Sequence, residues 1–341
     1  MALRLRPYRV SDERMVMRAR DALATDGFEL LYGLREYASW SNYLAHYHET
    51  RFGRDLRDGE VPTMLLAAEV DGSFVGHVGV RLATNPAAVP RGGHVGYAVL
   101  APFRRQGLAS EMLRQAMILL RAEGVGEVVV TCRDTNLTSA AVIEGCGGRL
   151  ESLFDFGDAK GDMRRYVIAP PEHALYLRPL TTRDEAAAVA AHRAMIHGDT
   201  HFLLHWSSGD EWDAYVARLR DLQLGRDVPE GLVRSAFLAA SVGNQLVGRT
   251  SIRFELNEAL TSWNGHIGYA VLEAHRRRGY AAEILRQALV IARAEGVTRV
   301  IVTCEDNNVA SATVIERHGG RLNSIGLTNK FPGRWRRYYV D

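Results

Sequence analysis

Apolar positions along this chain follow two periods, and the switches between them mark the elements. Residues 64–70 and Phe74 to Val80 are apolar runs separated by Asp71-Gly72. That pattern predicts a β-hairpin with Asp-Gly as its tight turn. Residues 94–100 predict another strand. Beyond it Met112, Leu113, Ala116, Met117 and Leu120 recur at helical spacing, and Gly124 marks the end of that helix. Glu127 to Cys132 predict a strand, Ser139 to Glu144 the start of a helix closed by Gly147-Gly148, and Arg164 to Ile168 a last strand. Residues 11–50 read as helices rich in Tyr and His. The order is strand, helices, strands, helix, strand, helix, strands. This is mixed α/β, not a doubly wound alternation.

The same pattern then returns. His94-Val95-Gly96-Tyr97-Ala98-Val99-Leu100 reappears as His266-Ile267-Gly268-Tyr269-Ala270-Val271-Leu272, an offset of 172 residues. Between residues 94 and 151 about 35 of 58 positions are identical to the second copy. The offset also pairs Arg6-Pro7 with Arg178-Pro179, Trp40 with Trp212 and Arg164-Arg165-Tyr166 with Arg336-Arg337-Tyr338. A period of this length is far beyond a solenoid unit. It predicts two complete domains of one fold, residues 1–169 and 173–341, parted where Pro170-Pro171 break regular structure.

Composition narrows the function classes. Of 341 residues, 42 are basic and 40 acidic, a net charge of +2. That balance gives no footprint for nucleic acid or an anionic membrane. No apolar stretch approaches a membrane span, and the opening residues lack an apolar signal core, so a cytoplasmic location is expected. Three cysteines, Cys132, Cys146 and Cys304, make no disulfide framework and no C-x-x-C. The histidines have no repeated ligand spacing, and no metal is expected.

The segment that carries chemistry lies between the 94–100 strand and the following helix. Arg104-Arg105-Gln106-Gly107-Leu108-Ala109 has its counterpart in Arg276-Arg277-Arg278-Gly279-Tyr280-Ala281. Glycine lets a backbone approach a ligand closely. The first-turn amides of a helix lack intrahelical partners, and with the helix dipole they suit an anion such as a pyrophosphate. Arginines add charge and forked donors. A solvated helix cap is the plain alternative, and recurrence in the same strand-loop-helix context argues against it.

On these residues each half resembles the GNAT N-acetyltransferase superfamily. Its signature, [Q/R]-x-x-G-x-[G/A], matches Arg104-x-x-Gly107-x-Ala109 and Arg276-x-x-Gly279-x-Ala281. The next strand, ending in Asp134-x-Asn136 or Asp306-x-Asn308, also matches the family's order. The tandem arrangement is similar to that of mycothiol synthases. The resemblance implies two GNAT domains, each a mixed, mostly antiparallel sheet with a V-shaped splay between central strands and flanking helices. It implies acetyl-CoA as co-substrate, with its pyrophosphate on the amides of 105–109 or 277–281 and its pantetheine arm along Val99 or Val271. It also implies a small-molecule primary amine as acceptor, such as an amino acid derivative, an amino sugar or an antibiotic. A non-catalytic acyl-CoA sensor or scaffold, or an acyltransferase with another donor, is the alternative. A pseudo-dimer within one chain or a homodimer fits the duplication.

The family's usual acid, a tyrosine on the helix after the asparagine, falls at Ile143 and Ile315 in this sequence. Replacements are His318, one face over from Ile315 and matched by Cys146; Glu144 and Glu316; and Tyr97 and Tyr269. His94 and His266 open the strand where relatives place a base. Each has a plain structural reading beside the catalytic one: a helix-end histidine, a surface ion pair, a packed tyrosine, a histidine bonded to backbone. Cys132 and Cys304 read as core thiols. Arg278 and His318 tilt the expectation toward the second half if only one is catalytic. In the family the region of Tyr32, Tyr37, Trp40, Tyr43 and Tyr47 walls the acceptor pocket.

Overall fold

The structure is a computed structural model that describes residues 3–84, 92–155, 161–195, 201–327 and 333–341. The chain divides into two compact units, Met1–Pro170 and Pro171–Asp341.

In the first unit the elements are β1 (Leu3–Pro7), α1 (Glu13–Ala24), α2 (Trp40–Thr50), β2 (Thr63–Val70), β3 (Ser73–Arg81), β4 (Val95–Val99), α3 (Leu108–Ala122), β5 (Val128–Arg133), α4 (Leu137–Gly145), β6 (Arg149–Phe154) and β7 (Met163–Ile168). The second unit repeats them as β8 (Leu175–Pro179), α5 (Glu185–Ala194), α6 (Trp212–Leu224), β9 (Ser235–Val242), β10 (Gln245–Arg253), β11 (Ile267–Val271), α8 (Tyr280–Ala294), β12 (Val300–Glu305), α9 (Val309–Arg317), β13 (Arg321–Leu327) and β14 (Arg334–Val340). It also contains a short helix, α7 (Glu258–Trp263), before β11, at positions whose first-unit counterparts lie outside the described residues.

The hairpin read at Asp71-Gly72 is β2–β3, with both turn residues at positive φ (50° and 79°). Strands β1 to β4 pair antiparallel in sequence order. Strands β5, β7 and β6 form a separate sheet with β7 central. In the second unit all seven strands join, in the order β13-β14-β12-β11-β10-β9-β8. There β11 and β12 run parallel and register at one pair, Ile267 with Val302. In the first unit β4 and β5 touch at the same end, where the His94 amide donates to Val129 O at 2.7 Å. Beyond that end the two strands diverge in both units, which is the expected V.

The helical period of α3 is a burial pattern: Met112, Leu113, Ala116 and Leu120 are fully buried. The helices α1 and α2 close another core with Val16, Leu23, Trp40 and Tyr43 against Ala67, Phe74 and Ala98. Phe202, Trp212, Tyr215, Phe237 and Ala239 build the corresponding core of the second unit. No described helix is long and apolar enough to cross a membrane.

Candidate active site

The arginine-glycine loops adopt one geometry in both units. Arg105 (φ 63°) and Gly107 (φ 77°) are left-handed, as are Arg277 (φ 59°) and Gly279 (φ 80°). Successive amides in such turns converge into a concave donor set that favours an anion. Each glycine is the N-cap of a 15-residue helix, and no side chain caps either helix. The amides around Gln106, Leu108 and Ala109, and around Arg278, Tyr280 and Ala281, therefore sit at an uncapped positive helix end. A Cβ placed on Gly107 or Gly279 meets nothing within 4 Å, so the cradle opens into free space.

Two arginines turn back to the strand instead of forward. Arg104 Nε donates to Val99 O at 3.0 Å and Arg276 Nε to Val271 O at 3.3 Å. Arg104 also pairs with Asp26. These carbonyls end β4 and β11 at the open side of the splay.

Inside the splay the two units carry the same hydroxyl pair. Tyr97 OH lies 3.1 Å from Ser139 Oγ, and Tyr269 OH 2.8 Å from Ser311 Oγ. Burial, above all, pushes both phenols up to about 12, so both keep their protons at neutral pH. The serines sit in the first turns of α4 and α9. The N-caps of those helices are Asn136 and Asn308, whose side-chain oxygens accept the Ser139 and Ser311 amides at 3.0 Å. Sequence reading missed both serines, although their recurrence at the same offset marked them.

The remaining candidates have structural partners. His94 Nδ1 accepts the Val129 amide at 2.8 Å, and His266 Nδ1 accepts that of Ile301 at 2.9 Å. Each ring thereby ties the two central strands together where they still touch. Burial lowers the His94 pKa and brings that of His266 to about 4, so both are neutral. Glu144 accepts from Tyr166 OH at 2.8 Å and Glu316 from Tyr338 OH at 2.9 Å. His318 Nδ1 donates to Val314 O at 2.8 Å at the end of α9. Ile143 and Ile315 are fully buried. Cys132 and Cys304 are buried, and burial raises both thiols, Cys304 to about 11. Among the described residues no group of three or more His, Cys, Asp or Glu is placed to hold a metal.

On the helical side of β3 and β4 the first unit contains a cavity of about 820 Å³. Tyr32, Tyr43 and Tyr47 line it, while Tyr37 packs beside the core and Trp40 lies within it. Alternate residues of β3, His77, Gly79 and Arg81, face it, with Gly96 of β4 opposite Gly79. The His77 ring, bonded to Tyr8 OH at 2.9 Å, is held neutral by burial, its pKa near 3. The second unit differs at these positions. Arg249 replaces His77, Ser251 replaces Gly79, and the Arg249 guanidinium donates to His201 O at 2.9 Å. A Cβ placed on Gly96 meets nothing within 4 Å. On Gly268 it meets Ser251 Oγ at 3.2 Å and an Arg249 nitrogen at 3.8 Å.

Two family descriptions match the chain: "Acetyltransferase (GNAT) family" over residues 28–147 and "Acetyltransferase (GNAT) domain" over residues 174–321. Together they span more than three quarters of the sequence. The chain belongs to the GNAT acetyltransferases and carries two such domains in tandem. No curated protein sequence matches it.

Solved structures similar to one domain include a putative ribosomal-protein-serine acetyltransferase from Vibrio cholerae. It shows 20% identity over 49% of this chain and 92% of that one, with a TM-score of 0.36. Another is yncA, a putative acetyltransferase from Salmonella typhimurium with acetyl-CoA, at 16% identity over 49% and 94%, TM-score 0.36. A third is Mycobacterium smegmatis RimJ in complex with CoA-disulfide, at 23% over 50% and 83%, TM-score 0.37.

Proposed function

We propose that the chain transfers an acetyl group from acetyl-CoA to the primary amine of a small molecule, by direct attack in a ternary complex. The observation that carries this reading is the duplicated cradle: two left-handed residues at an uncapped N-terminus of a long helix, beside the mouth of a strand splay. When bound, acetyl-CoA supplies the activated acyl group and a thiol leaving group.

The chain's own residues provide the rest. Amides of 105–109 and 277–281 receive the pyrophosphate, where helix-end charge is already in place. The strand edges at Val99 and Val271, whose carbonyls Arg104 and Arg276 hold, receive the pantetheine arm. Tyr97 and Tyr269, at the inner end of the splay, donate a hydrogen bond to the departing sulfur. A thiol has a pKa of about 8.5, well below these phenols, so the tyrosines stabilise the leaving group without giving up their protons. The neutral amine nitrogen attacks the acetyl carbon, the C–S bond breaks as the C–N bond forms, and the proton lost by the nitrogen ends on the departing thiolate, giving the free thiol.

Acetyl-CoA mixed with a panel of primary amines tests the reading. Amine-dependent thiol release is expected, and it disappears when both Gly107 and Gly279 are replaced by Asp. Thiol release that ignores both substitutions would sink it.

A further inference from the structure

The open cavity of the first unit has a charge pattern that specifies its ligand. Arg81 faces it from the end of β3, and its guanidinium donates to the Gly93 carbonyl at 3.2 Å. Among the described residues no carboxylate pairs with it. A half-buried guanidinium bonded to a neutral carbonyl still has N–H donors to offer an anion. Burial lowers the Arg81 pKa, as expected of a cation without a counter-charge.

Charges of the opposite sign also line the cavity, from Glu29, Asp58 and Glu60, and they favour the amine end of a ligand. The Glu60 carboxylate accepts the Arg57 amide at 3.0 Å and lies 3.0 Å from His46 Nε2. The Tyr47 hydroxyl stands in the field of both Glu60 and Arg81. Tyr43 and Tyr47 add aromatic surface to the lining.

Resting on the acetyltransferase reading, we infer that the first unit's cavity binds an acceptor carrying both an amine and a carboxylate, an amino-acid-like zwitterion whose carboxylate Arg81 receives. The amine end then falls toward Gly96, where the missing side chain leaves the way to the splay open. Arg81 stands two residues along β3 from Gly79, the partner of Gly96, about 7 Å of strand. That separation suits a ligand whose two groups are close together. The second unit repeats the arginine, with Arg253 donating to the Gly265 carbonyl at 3.3 Å, but there Ser251 and Arg249 crowd the space over Gly268, and that crowding assigns this acceptor to the first half.

The test is calorimetric titration of the full chain with the twenty proteinogenic L-amino acids and their carboxamides, without donor. An amide keeps the shape of the acid and removes its charge. At least one amino acid is expected to bind at least tenfold tighter than its amide. Arg81→Met should erase that gap, and Arg81→Lys should keep part of it. Equal binding of acid and amide, binding of neither, or a gap that survives Arg81→Met overturns the inference. The acid-amide comparison on wild type stands even where a variant fails to fold. Acetyl-CoA titrated in parallel separates the two readings. Its failure to bind would sink the transferase reading and leave the acid-amide gap intact as a separate result.

Discussion

Replacing Gly107 tests the cradle most directly, because the structure separates the costs. A Cβ there meets nothing within 4 Å, so contact with neighbours contributes nothing. Gly107→Ala therefore bears only the left-handed backbone cost, about 1–2 kcal/mol. Gly107→Asp bears less of that, since Asp tolerates this region better, but it places a carboxylate where the pyrophosphate is received. At about 5 Å and an effective dielectric of about 20 to 80, each phosphate charge repels it by about 1–3 kcal/mol. Two such charges weaken binding by about 2 kcal/mol or more, roughly thirtyfold in Kd. In acetyl-CoA calorimetry wild type should show two sites per chain. Gly107→Asp should leave one at wild-type affinity, Gly279→Asp should leave the other, and Gly107→Ala should lose far less than the Asp variant. If both Asp variants bind as wild type does, the helix ends are not where the pyrophosphate sits.

Tyr97→Phe removes the Ser139 contact and the hydrogen bond to the leaving sulfur. In a Gly279→Asp background, where only the first unit receives acetyl-CoA, a fall in kcat of about a hundredfold is expected with acetyl-CoA affinity unchanged; an unaltered kcat would remove Tyr97 from the chemistry. His266 links stability to acid. Its folded pKa, about 4, lies below the ordinary 6.5, so the unfolded chain binds the proton more readily. The stability contribution is full above pH 6.5 and lost as pH falls through 4, about 3 kcal/mol in all. In His266→Gln, urea denaturation at pH 7 and pH 4.5 should show a smaller stability drop than in wild type; an equal drop would contradict the assignment.

Much of the fold was legible because its signals are local. The Asp71-Gly72 turn, the α3 stripe from Met112 to Leu120 and the arginine-glycine loops depend on neighbours a few residues apart. Recurrence at a fixed offset turned a weak hexapeptide into a strong sign. The candidate acids and bases were harder to read. His94 and His266 looked suited to proton transfer, yet each ring meets an amide 35 residues away on the facing strand. Glu144 and Glu316 meet tyrosines 22 residues away on the last strands. Nothing in local spacing distinguishes such a partner from substrate.

The sequence by itself determined two copies of one α/β unit and the loop that cradles an anion, since turn chemistry and periodicity are properties of short stretches of chain. Only the tertiary structure decided where the central strands part, which hydroxyls meet inside that gap, and that Gly96 faces open space while Gly268 is crowded by Arg249 and Ser251. Those outcomes depend on how side chains fill the space between distant strands. Near-identical strands β4 and β11 therefore leave open space over Gly96, while changes on the paired strand β10 crowd Gly268.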